Sequence, residues 1–537
     1  MMTVLLVLLV SVPLVSVLGC LVLPRRVLSG TTVIAGTASL VLCLALVPTA
    51  ASHPIGAGLL RVDALSVVFL LPTAFLYVAT AVYSVGYLAE ESAVAAAAGG
   101  EEERDFHRYS RRFYVGLNLF AWSMLCAPAV SGLALLWIAI EITTVVSALL
   151  VAIDDTEGAT EAAWKYVLIA SSGLGIGLLA TIVMYYAGAQ RLGQSYDLAF
   201  HPLLRHAAEL PQTPVRLAFV LAVVGFGTKV GLFPVHTWLP DAHAEAPTPV
   251  SALLSGSLLA VSFYAILRYF QIARVTLGPS FPQQVLLVFG VASLLLAALY
   301  LVEQSDVKRM LAYSSVEHMG ILAIGVSFGS PIALAGVLLH VLAHGAAKGN
   351  AFMGAGVLVR KYGVKELSRM RGAIDLLPWS GPLFLISIFA LSAMPPFGLF
   401  RSEFQIVAGG FAHDRDVAAG LLIALVTLAF FGLTSNVTQP LFVPVSQAPR
   451  ARSGAIRRGD AEAPAPDPGD ADRRTPSSAV STAVRGSHEV ARGEPSAWMV
   501  VPVVAGTLVL LVLGVHPPEQ LLDLLTAAAR ELGGGLS

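Results

Sequence analysis

Charged residues are scarce in this 537-residue chain, and their scarcity excludes an ordinary soluble domain. Asp, Glu, Lys and Arg make up 12% of the sequence, hydrophobic residues make up 56%, and the mean hydropathy is +0.77. Soluble domains contain about 25% charged residues. The composition therefore indicates a protein that resides in a membrane.

Cysteine and the common cofactor motifs are also scarce. The three cysteines are scattered in apolar stretches, which excludes a disulfide framework and an iron–sulfur cluster held by this chain alone. The sequence has no glycine-rich phosphate cradle and no nucleophile elbow, and Lys229 lies in no Walker-type frame. The net charge of −1 indicates no nucleic-acid partner. We expect no catalytic residue, no cofactor and no metal site in this chain.

Long apolar stretches dominate the sequence. We find about fourteen that are long enough to span a bilayer, each needing roughly 20 residues. They are 3–23, 31–50, 64–88, 112–129, 131–152, 162–187, 214–233, 248–270, 284–302, 309–328, 332–358, 379–397, 415–437 and 498–515. The first resembles a signal peptide but lacks a basic segment before it, so we expect it to be retained as a helix.

The basic residues predict the orientation. Most Lys and Arg fall in the odd-numbered loops, so the positive-inside rule places those loops in the cytoplasm and both termini outside the inner (plasma) membrane. Two segments are too polar to be membranous. Residues 89–111 form a charged connector, and residues 446–497 are poor in large apolar residues, which predicts a flexible cytoplasmic linker.

Ionisable residues recur inside the apolar segments. Glu141, Lys229, His340, His344 and Lys348 each lie within a stretch that should span the membrane. A charged group at the centre of a bilayer costs about 2.5–3.5 kcal/mol on insertion scales. A chain that accepts this cost repeatedly is most simply explained as one that moves charge through the membrane.

Three of these residues share one face of a helix. His340, His344 and Lys348 fall at i, i+4 and i+8, so each step rises by about 6 Å along the axis. One or two waters would bridge each gap, and histidine titrates near neutrality. A single membrane histidine is as often an interhelical hydrogen-bond partner, but three ionisable groups on one face favour a proton relay. A carboxylate that approaches or leaves a buried lysine would change how firmly the lysine holds its proton.

Other polar groups leave alternatives open. Glu317 is either part of the relay or a structural residue. Asp306, Lys308 and Arg309 are expected to cap and orient a helix start. The cluster Asp241, His243 and Glu245 has the residue types of a metal site, but its place in a loop favours a solvated or interface role.

The interior repeats one pattern. The seventh and twelfth spans, ending GFGTKVGLFPVHTWLPDAH and ALSAMPPFGLFRSEF, are both interrupted by Gly and Pro and then followed by polar residues. Paired interruptions at corresponding positions are typical of inverted repeats with broken helices at an ion site. The alternative is two ordinary proline kinks.

Six strings carry a family resemblance. They are RVDALSVVFLL (61–71), LWIAIEITTVVSALLV (136–151), EAAWKYVLIASSG (161–173), GFGTKVGLFPVHTWLPDAHAEAPTPVSALLSG (225–256), QSDVKRMLAYSSVEHMG (304–320) and HVLAHGAAKGNAF (340–352). They resemble the antiporter-like proton-translocating membrane subunits of complex I, group 4 membrane-bound hydrogenases and Mrp antiporters. The segments SSVEHMGI and MPPFGLFRSEF are most similar to hydrogenase-4 component F.

The resemblance implies an all-α polytopic fold of about 14 transmembrane helices, with two inverted five-helix repeats whose seventh and twelfth helices are broken. The implied divisions are 1–111 (helices 1–3 and connector), 112–270 (first repeat), 284–437 (second repeat), 446–497 (linker) and 498–537 (last helix and tail). The implied proton-translocating residues are Glu141, Lys229, His318, His340, His344, Lys348 and Glu403, with Lys165, His236 and Glu317 as further candidates. In this scheme Glu141 pairs with Lys229.

One position departs from the family pattern. Many members carry a lysine in the eighth helix that bridges the two half-channels, and Ala260 occupies its place here. Ser257, Ser262 and Tyr264 could support water instead. Whether the path is continuous is therefore in question.

These features together predict a proton-conducting membrane subunit of a hydrogenase-4-like or complex-I-like oxidoreductase. Its partners would be other membrane subunits and a hydrogenase-like or NADH dehydrogenase-like peripheral arm, with the redox chemistry located in those partners. One alternative is a subunit of an Mrp-type cation/proton antiporter. Another is a membrane partner in inorganic-carbon uptake.

Overall fold

The computed structural model describes residues 1–194, 196–442 and 492–533, and this part of the chain is almost entirely helical. The predicted linker 446–497 lies outside the described residues except for its last six. The helices are α1 Met2–Val22, α2 Leu28–Ala50, α3 Ala64–Tyr87, α4 Ala89–Ala98, α5 Gly100–Ala129, α6 Leu133–Val151, α7 Glu157–Leu192, α8 Phe200–Arg205, α9 Gln212–Val230, α10 Trp238–Glu245, α11 Thr248–Leu253, α12 Leu259–Leu277, α13 Ser280–Leu301, α14 Val307–Phe328, α15 Pro331–Tyr362, α16 Ala373–Leu376, α17 Ser380–Leu391, α18 Gly398–Phe411, α19 Asp416–Phe442, α20 Ala497–Val515 and α21 Glu519–Leu532. One antiparallel hairpin joins β1 Ile55–Ala57 to β2 Leu60–Val62.

The helices confirm the predicted membrane spans. Within the described residues, twelve helices are long and apolar enough to cross a membrane. The apolar second half of α5 and the pair α17–α18 bring the crossings to the predicted fourteen. The charged connector 89–111 is helical, because α4 fills its first part and α5 begins at Gly100 and continues unbroken into the fourth span.

Burial separates inner helices from outer ones. The most apolar window of the α11–α12 segment is 100% buried, and those of α14 and α15 are 94% and 89% buried. The corresponding windows of α1, α19 and α20 are 33% buried. The outer helices expose apolar side chains, which lipid accommodates. Helices α12, α14 and α15 are surrounded by other helices and form the centre of the protein.

Two spans are broken, as the sequence predicted. Helix α9 ends at Val230, and the next residue, Gly231, has a left-handed φ of 84°. Pro234 then lacks the backbone N–H that a continuing helix would need. The chain resumes as α10 only at Trp238. The span made by α17 and α18 is likewise interrupted by residues 392–397, which include Pro395 and Pro396.

The order of elements repeats around these breaks. The spans α5, α6, α7, α9–α10 and α11–α12 form one series, and α13, α14, α15, α17–α18 and α19 form a second, each broken at its fourth member. Because each series has an odd number of crossings, the second runs through the membrane in the opposite sense. This order is what two inverted five-helix repeats require, and it favours them over two unrelated kinks.

A capping carboxylate stabilises a helix start at each face of the protein. At one face, Asp63 caps α3 by accepting a hydrogen bond from Ser66 N at 2.9 Å, and it also binds the Arg268 guanidinium at 2.6 and 2.7 Å. Burial alone would raise the pKa of Asp63, but the Arg268 charge outweighs it, and this pKa lies below its usual range. At the other face, Asp306 caps α14 through Lys308 N and Arg309 N, which confirms the predicted capping role.

Candidate functional site

The first cluster surrounds Lys229 at the C-terminal end of α9. Its side chain is fully buried, and its ammonium donates to Thr144 Oγ1 on α6 at 2.8 Å and to the Tyr166 hydroxyl on α7. The Tyr166 hydroxyl also contacts Ser147 Oγ at 2.8 Å. The break after Val230 leaves Lys229 in the last helical turn, so the ammonium reaches hydroxyls on two neighbouring helices.

The predicted partner of Lys229 stands apart from it. Glu141 accepts a hydrogen bond from Ser171 Oγ at 3.1 Å through Oε1, and its buried Oε2 has no hydrogen-bond partner among the described residues. Over the described parts of the chain, no ion pair joins Glu141 to Lys229. Thr144 follows Glu141 by one helical turn and holds the ammonium instead, so the expected Glu141–Lys229 ion pair is not formed in this structure.

The second cluster contains the predicted histidines. His318 on α14 lies between His340 and His344 of α15, with ring centroids 5.1 and 5.3 Å away. His318 Nδ1 and His340 Nε2 are 3.1 Å apart, and the other nitrogen of His340 meets Ser402 Oγ of α18 at 3.1 Å. His344 is fully buried, and both its ring nitrogens lack a hydrogen-bond partner among the described residues.

The line of ionisable residues predicted along one face of α15 is thus a zigzag that alternates between α15 and α14. The rings of His340 and His344 are 6.3 Å apart and nearly parallel, which confirms that they share one face. Lys348 does not reach His344. Its ammonium donates to Leu311 O at 3.1 Å and to Ser314 Oγ, both on α14. Helix α14 therefore supplies a partner at both ends of the line.

Two carboxylates accompany the second cluster. Glu317 is 3% exposed, and its Oε2 has no hydrogen-bond partner within the described residues. Glu403 on α18 places Oε1 at 4.0 Å from His318 Nδ1, and its side chain is 12% exposed. The structure therefore brings Glu403, His318 and His340 together from three helices.

The region between the clusters contains Ala260, which is buried on α12. The three residues expected to support water near Ala260 instead form hydrogen bonds with other groups of this chain. Ser257 Oγ meets Thr73 Oγ1 at 2.6 Å, Ser262 Oγ donates to Leu258 O of its own helix, and Tyr264 belongs to the Asp63–Arg268 group. In the π-helical stretch before α12, Ser255 Oγ contacts Ser315 Oγ at 2.7 Å, next to the Ser314 that binds Lys348.

His243 corrects one prediction from the sequence. A solvated or interface role was expected for it, yet it is fully buried. Its Nδ1 meets Leu239 O at 2.8 Å, and its Nε2 has no hydrogen-bond partner among the described residues. The reason is that the residues around it form helix α10, which turns His243 toward the protein and leaves Asp241 and Glu245 at the surface. Those two carboxylates pair with Arg309 and Lys365 of this chain, and their interface role stays a prediction.

His243 lies between the two lysine clusters. Its ring is 6.2 Å from that of Trp238, and Trp238 packs against Tyr166 with ring centroids 4.4 Å apart. On its other side, its ring is 5.6 Å from that of Phe352, which follows Lys348 by one turn on α15. The string HTWLPDAH contains this histidine, but only the short helix shows that its side chain points inward.

The remaining candidates lie toward the margins. Lys165 is 44% exposed and pairs with Glu161 at 2.6 Å and with Asp241 at 3.8 Å. His236 lies in the break between α9 and α10, is 6% exposed and has no partner for Nδ1 within the described residues. The structure therefore places Lys165 at the protein surface and His236 in the helix break that follows Lys229.

Comparison with known proteins agrees with this architecture. The family described as "NADH:quinone oxidoreductase/Mrp antiporter, TM" matches residues 131–432. The hydrogenase-4 component F homolog of Methylacidiphilum infernorum (isolate V4) is 35% identical over 397 residues, which is 74% of this chain and 81% of that protein. NADH-quinone oxidoreductase subunit N of Desulforudis audaxviator (strain MP104C) is 32% identical over 363 residues, covering 66% and 70% of the two chains.

Solved structures share the fold. A chain of the Mrp complex from Dietzia sp. DQ12-45-1b has a TM-score of 0.79 at 21% identity, with 99% of this chain and 97% of that chain covered. A chain of respiratory complex I from Thermus thermophilus with bound NADH has a TM-score of 0.73 at 24% identity, with 98% and 99% covered. At these identities the likeness establishes the fold alone.

Proposed function

This chain belongs to the NADH:quinone oxidoreductase/Mrp antiporter membrane-subunit family, and we propose that it conducts protons along the buried line from Glu141 to Glu403. One observation carries the proposal. Lys229 and Lys348 are fully buried and are held by hydroxyl and carbonyl oxygens, and among the described residues neither forms an ion pair with a carboxylate. A buried lysine without a paired carboxylate is costly, so residues in this arrangement need a role beyond packing.

The first cluster acts as a gate. When Glu141 approaches, its charge stabilises the ammonium form of Lys229, and when it withdraws, the proton is released more readily. Thr144 and Tyr166 hold the amine in place in the open arrangement. The unpartnered Oε2 of Glu141 leaves this carboxylate free to change partners.

The second cluster acts as a relay. Each imidazole can accept a proton on one nitrogen and give one up from the other, and His318 and His340 are already at hydrogen-bond distance. His344 completes the line toward Lys348 through its two nitrogens, neither of which has a hydrogen-bond partner among the described residues. Glu403 ends the line at the side of the protein, where its carboxylate is partly exposed.

His243 connects the two halves in this proposal. Ala260 has no titratable group. His243 has one ring nitrogen without a hydrogen-bond partner among the described residues, and it lies between the Tyr166–Trp238 ring pair on one side and helix α15 on the other. A water on each side would complete the contact with the two lysines. The histidine thus supplies a proton-carrying group in the region where the lysine is missing.

We place the chain in a larger membrane complex of the inner (plasma) membrane, with other membrane subunits as neighbours. Its similarity to a hydrogenase-4 component F homolog favours a hydrogenase-like or NADH dehydrogenase-like peripheral arm whose redox reaction drives the proton movement. A second candidate is cation/proton exchange, because a Na(+)/H(+) antiporter protein of Alkalihalophilus pseudofirmus is 28% identical over 299 residues.

The coupling ion distinguishes these candidates. We expect the whole complex, reconstituted in proteoliposomes, to acidify or alkalinise the lumen in sodium-free medium. Adding sodium should leave the rate unchanged, because the line contains titratable nitrogens and carboxylates suited to protons. A strict requirement for sodium, together with sodium movement opposite to protons, would favour the antiporter function instead.

The orientation is also proposed from the basic residues, with both termini outside. Ser368 and Ser280 are exposed and lie on opposite sides in the fourteen-span arrangement, and the native cysteines Cys20, Cys43 and Cys126 are buried. An impermeant maleimide applied to intact cells should label a Ser280→Cys variant and spare Ser368→Cys. The reverse labelling pattern would invert the orientation.

A further inference from the structure

Three residues of the second cluster converge in a way that a proton relay alone does not require. His318, His340 and Glu403 each direct one ligand atom at a common point, and the three atoms lie within 4.8 Å of one another. The shortest separation is 3.1 Å, from His318 Nδ1 to His340 Nε2, and His318 Nδ1 is 4.0 Å from Glu403 Oε1.

These separations are close to those around a bound zinc ion. Zinc binds imidazole nitrogen and carboxylate oxygen at about 2.0–2.2 Å in a tetrahedron, which puts neighbouring ligand atoms about 3.3–3.5 Å apart. The histidine pair already has this spacing. The carboxylate needs to close by less than about 1.5 Å to complete a three-residue set.

The ligand types select a class of cation. Two imidazoles and one carboxylate suit Zn²⁺ and its neighbours among the divalent transition metals, whereas Ca²⁺ and Mg²⁺ prefer sites built from six or more oxygens. A tetrahedral ion held by three protein ligands retains a fourth position for water or a further residue. His344 is close to His318, with ring centroids 5.3 Å apart, and neither of its nitrogens has a hydrogen-bond partner among the described residues.

The surroundings of His340 also fit a metal ligand. Metal-binding histidines usually engage their second ring nitrogen with a neighbouring polar group, which fixes the ring and the tautomer. His340 Nδ1 has such a partner in Ser402 Oγ at 3.1 Å, and Ser402 is itself anchored to Leu399 O at 2.8 Å. The three ligands come from helices α14, α15 and α18, so the packing of the bundle holds them together.

We propose that His318, His340 and Glu403 form a binding site for a divalent cation of the zinc class. The cation occupies the same nitrogen and oxygen atoms that would carry protons, so each bound ion displaces protons from the cluster. The metal site stands on this geometry alone. A second consequence, that bound zinc blocks proton conduction, rests on the proposed function.

Metal binding is measured without turnover, on the purified full-length chain in detergent. Zn²⁺ affinity is obtained by competition with a chromophoric chelator, and Co²⁺ serves as a spectroscopic probe of tetrahedral coordination. We expect one site per chain. His318→Gln and Glu403→Gln should each weaken binding at least about 100-fold. Ser402→Ala should weaken it about 10–100-fold, because the loss of the Ser402 hydroxyl leaves the ring of His340 free to turn.

Two variants guard against misreading a folding defect. His340→Glu keeps a zinc ligand whose oxygens reach about as far from the backbone as the imidazole nitrogen, and it should retain binding that His340→Gln loses. His413→Gln removes an exposed histidine outside the cluster and should bind as the wild type does. The absence of a tetrahedral Co²⁺ spectrum, or unchanged affinity in His318→Gln, would overturn the site, as would loss of binding in His413→Gln.

Inhibition is tested separately, by titrating Zn²⁺ into proteoliposomes that contain the whole complex. Block of proton translocation at the concentration that fills the site supports the second consequence. Full occupancy with undiminished translocation overturns the block and leaves the metal site intact. A failure of the proposed function would therefore be distinguished from a failure of the site.

Discussion

The two buried lysines of this protein are held in similar ways but have different neighbours. Lys229 is bound by Thr144 and Tyr166, and Lys348 is bound by Ser314 and a backbone carbonyl. The second cluster contains three histidines, whereas the Lys229 ammonium donates to two hydroxyl groups and lies 4.7 Å from the centroid of the Tyr166 ring. The first cluster is therefore suited to holding or releasing one proton, and the second to passing protons along a chain of groups.

The geometry of the two clusters also reflects the inverted order of the helices. In the first, the hydroxyl that binds lysine is Thr144, three residues after Glu141. In the second it is Ser314, three residues before Glu317. The same combination of carboxylate and hydroxyl on one helical face is thus read in opposite chain directions. Because α6 and α14 cross the membrane in opposite senses, the reversed chain order puts the carboxylate on the same membrane side of its hydroxyl in both clusters.

The comparison predicts that loss of the carboxylate matters more in the first cluster. Glu141→Gln should lower the rate of proton translocation by about tenfold or more, which corresponds to about 1.4 kcal/mol in the barrier. Glu141→Asp keeps the charge on a shorter arm and should retain part of the activity. Glu317→Gln should lower the rate by only about threefold, since the histidines still offer proton-carrying groups.

The measurement is initial proton uptake by proteoliposomes that contain the whole complex. Redox turnover is followed in the same samples. Equal losses for Glu141→Gln and Glu317→Gln would remove the distinction between a gate and a relay.

A smaller effect is expected at the link between the clusters. His243→Gln keeps a polar side chain of similar size but cannot carry a proton, so translocation should fall by about fivefold if water partly replaces the ring. His413→Gln, which alters an exposed histidine, is the matched control. Wild-type translocation by His243→Gln would show that the halves communicate by another route or work independently.

The fold was largely predictable because its signals are local. Apolar length predicted the spans, and the Gly and Pro residues after Lys229 predicted the first helix break. The positions of the ionisable residues likewise followed from their place in apolar segments, and the i, i+4 spacing of His340 and His344 predicted their shared face.

Contacts between helices were harder to predict from the sequence. The sequence predicted a Glu141–Lys229 pair, but whether a lysine binds a carboxylate or the hydroxyl of Thr144 depends on the packing of α6, α7 and α9. The inward position of His243 depends on how one short helix is turned. The convergence of His318 and Glu403 joins residues that are far apart in the chain, and no local pattern reports it.

The proposed proton path depends most on Lys229, which is buried, held in place by two hydroxyls and located at the helix break. The most direct test is the ratio of protons moved to electrons transferred by the whole complex carrying Lys229→Ala. Lys361→Ala, which removes a lysine from the last turn of α15 whose ammonium donates to Gly493 O, is the matched control. The account predicts that Lys229→Ala lowers the ratio while redox turnover continues and that the control keeps the wild-type ratio. A wild-type ratio in Lys229→Ala would contradict it, because protons would then cross the membrane without this residue.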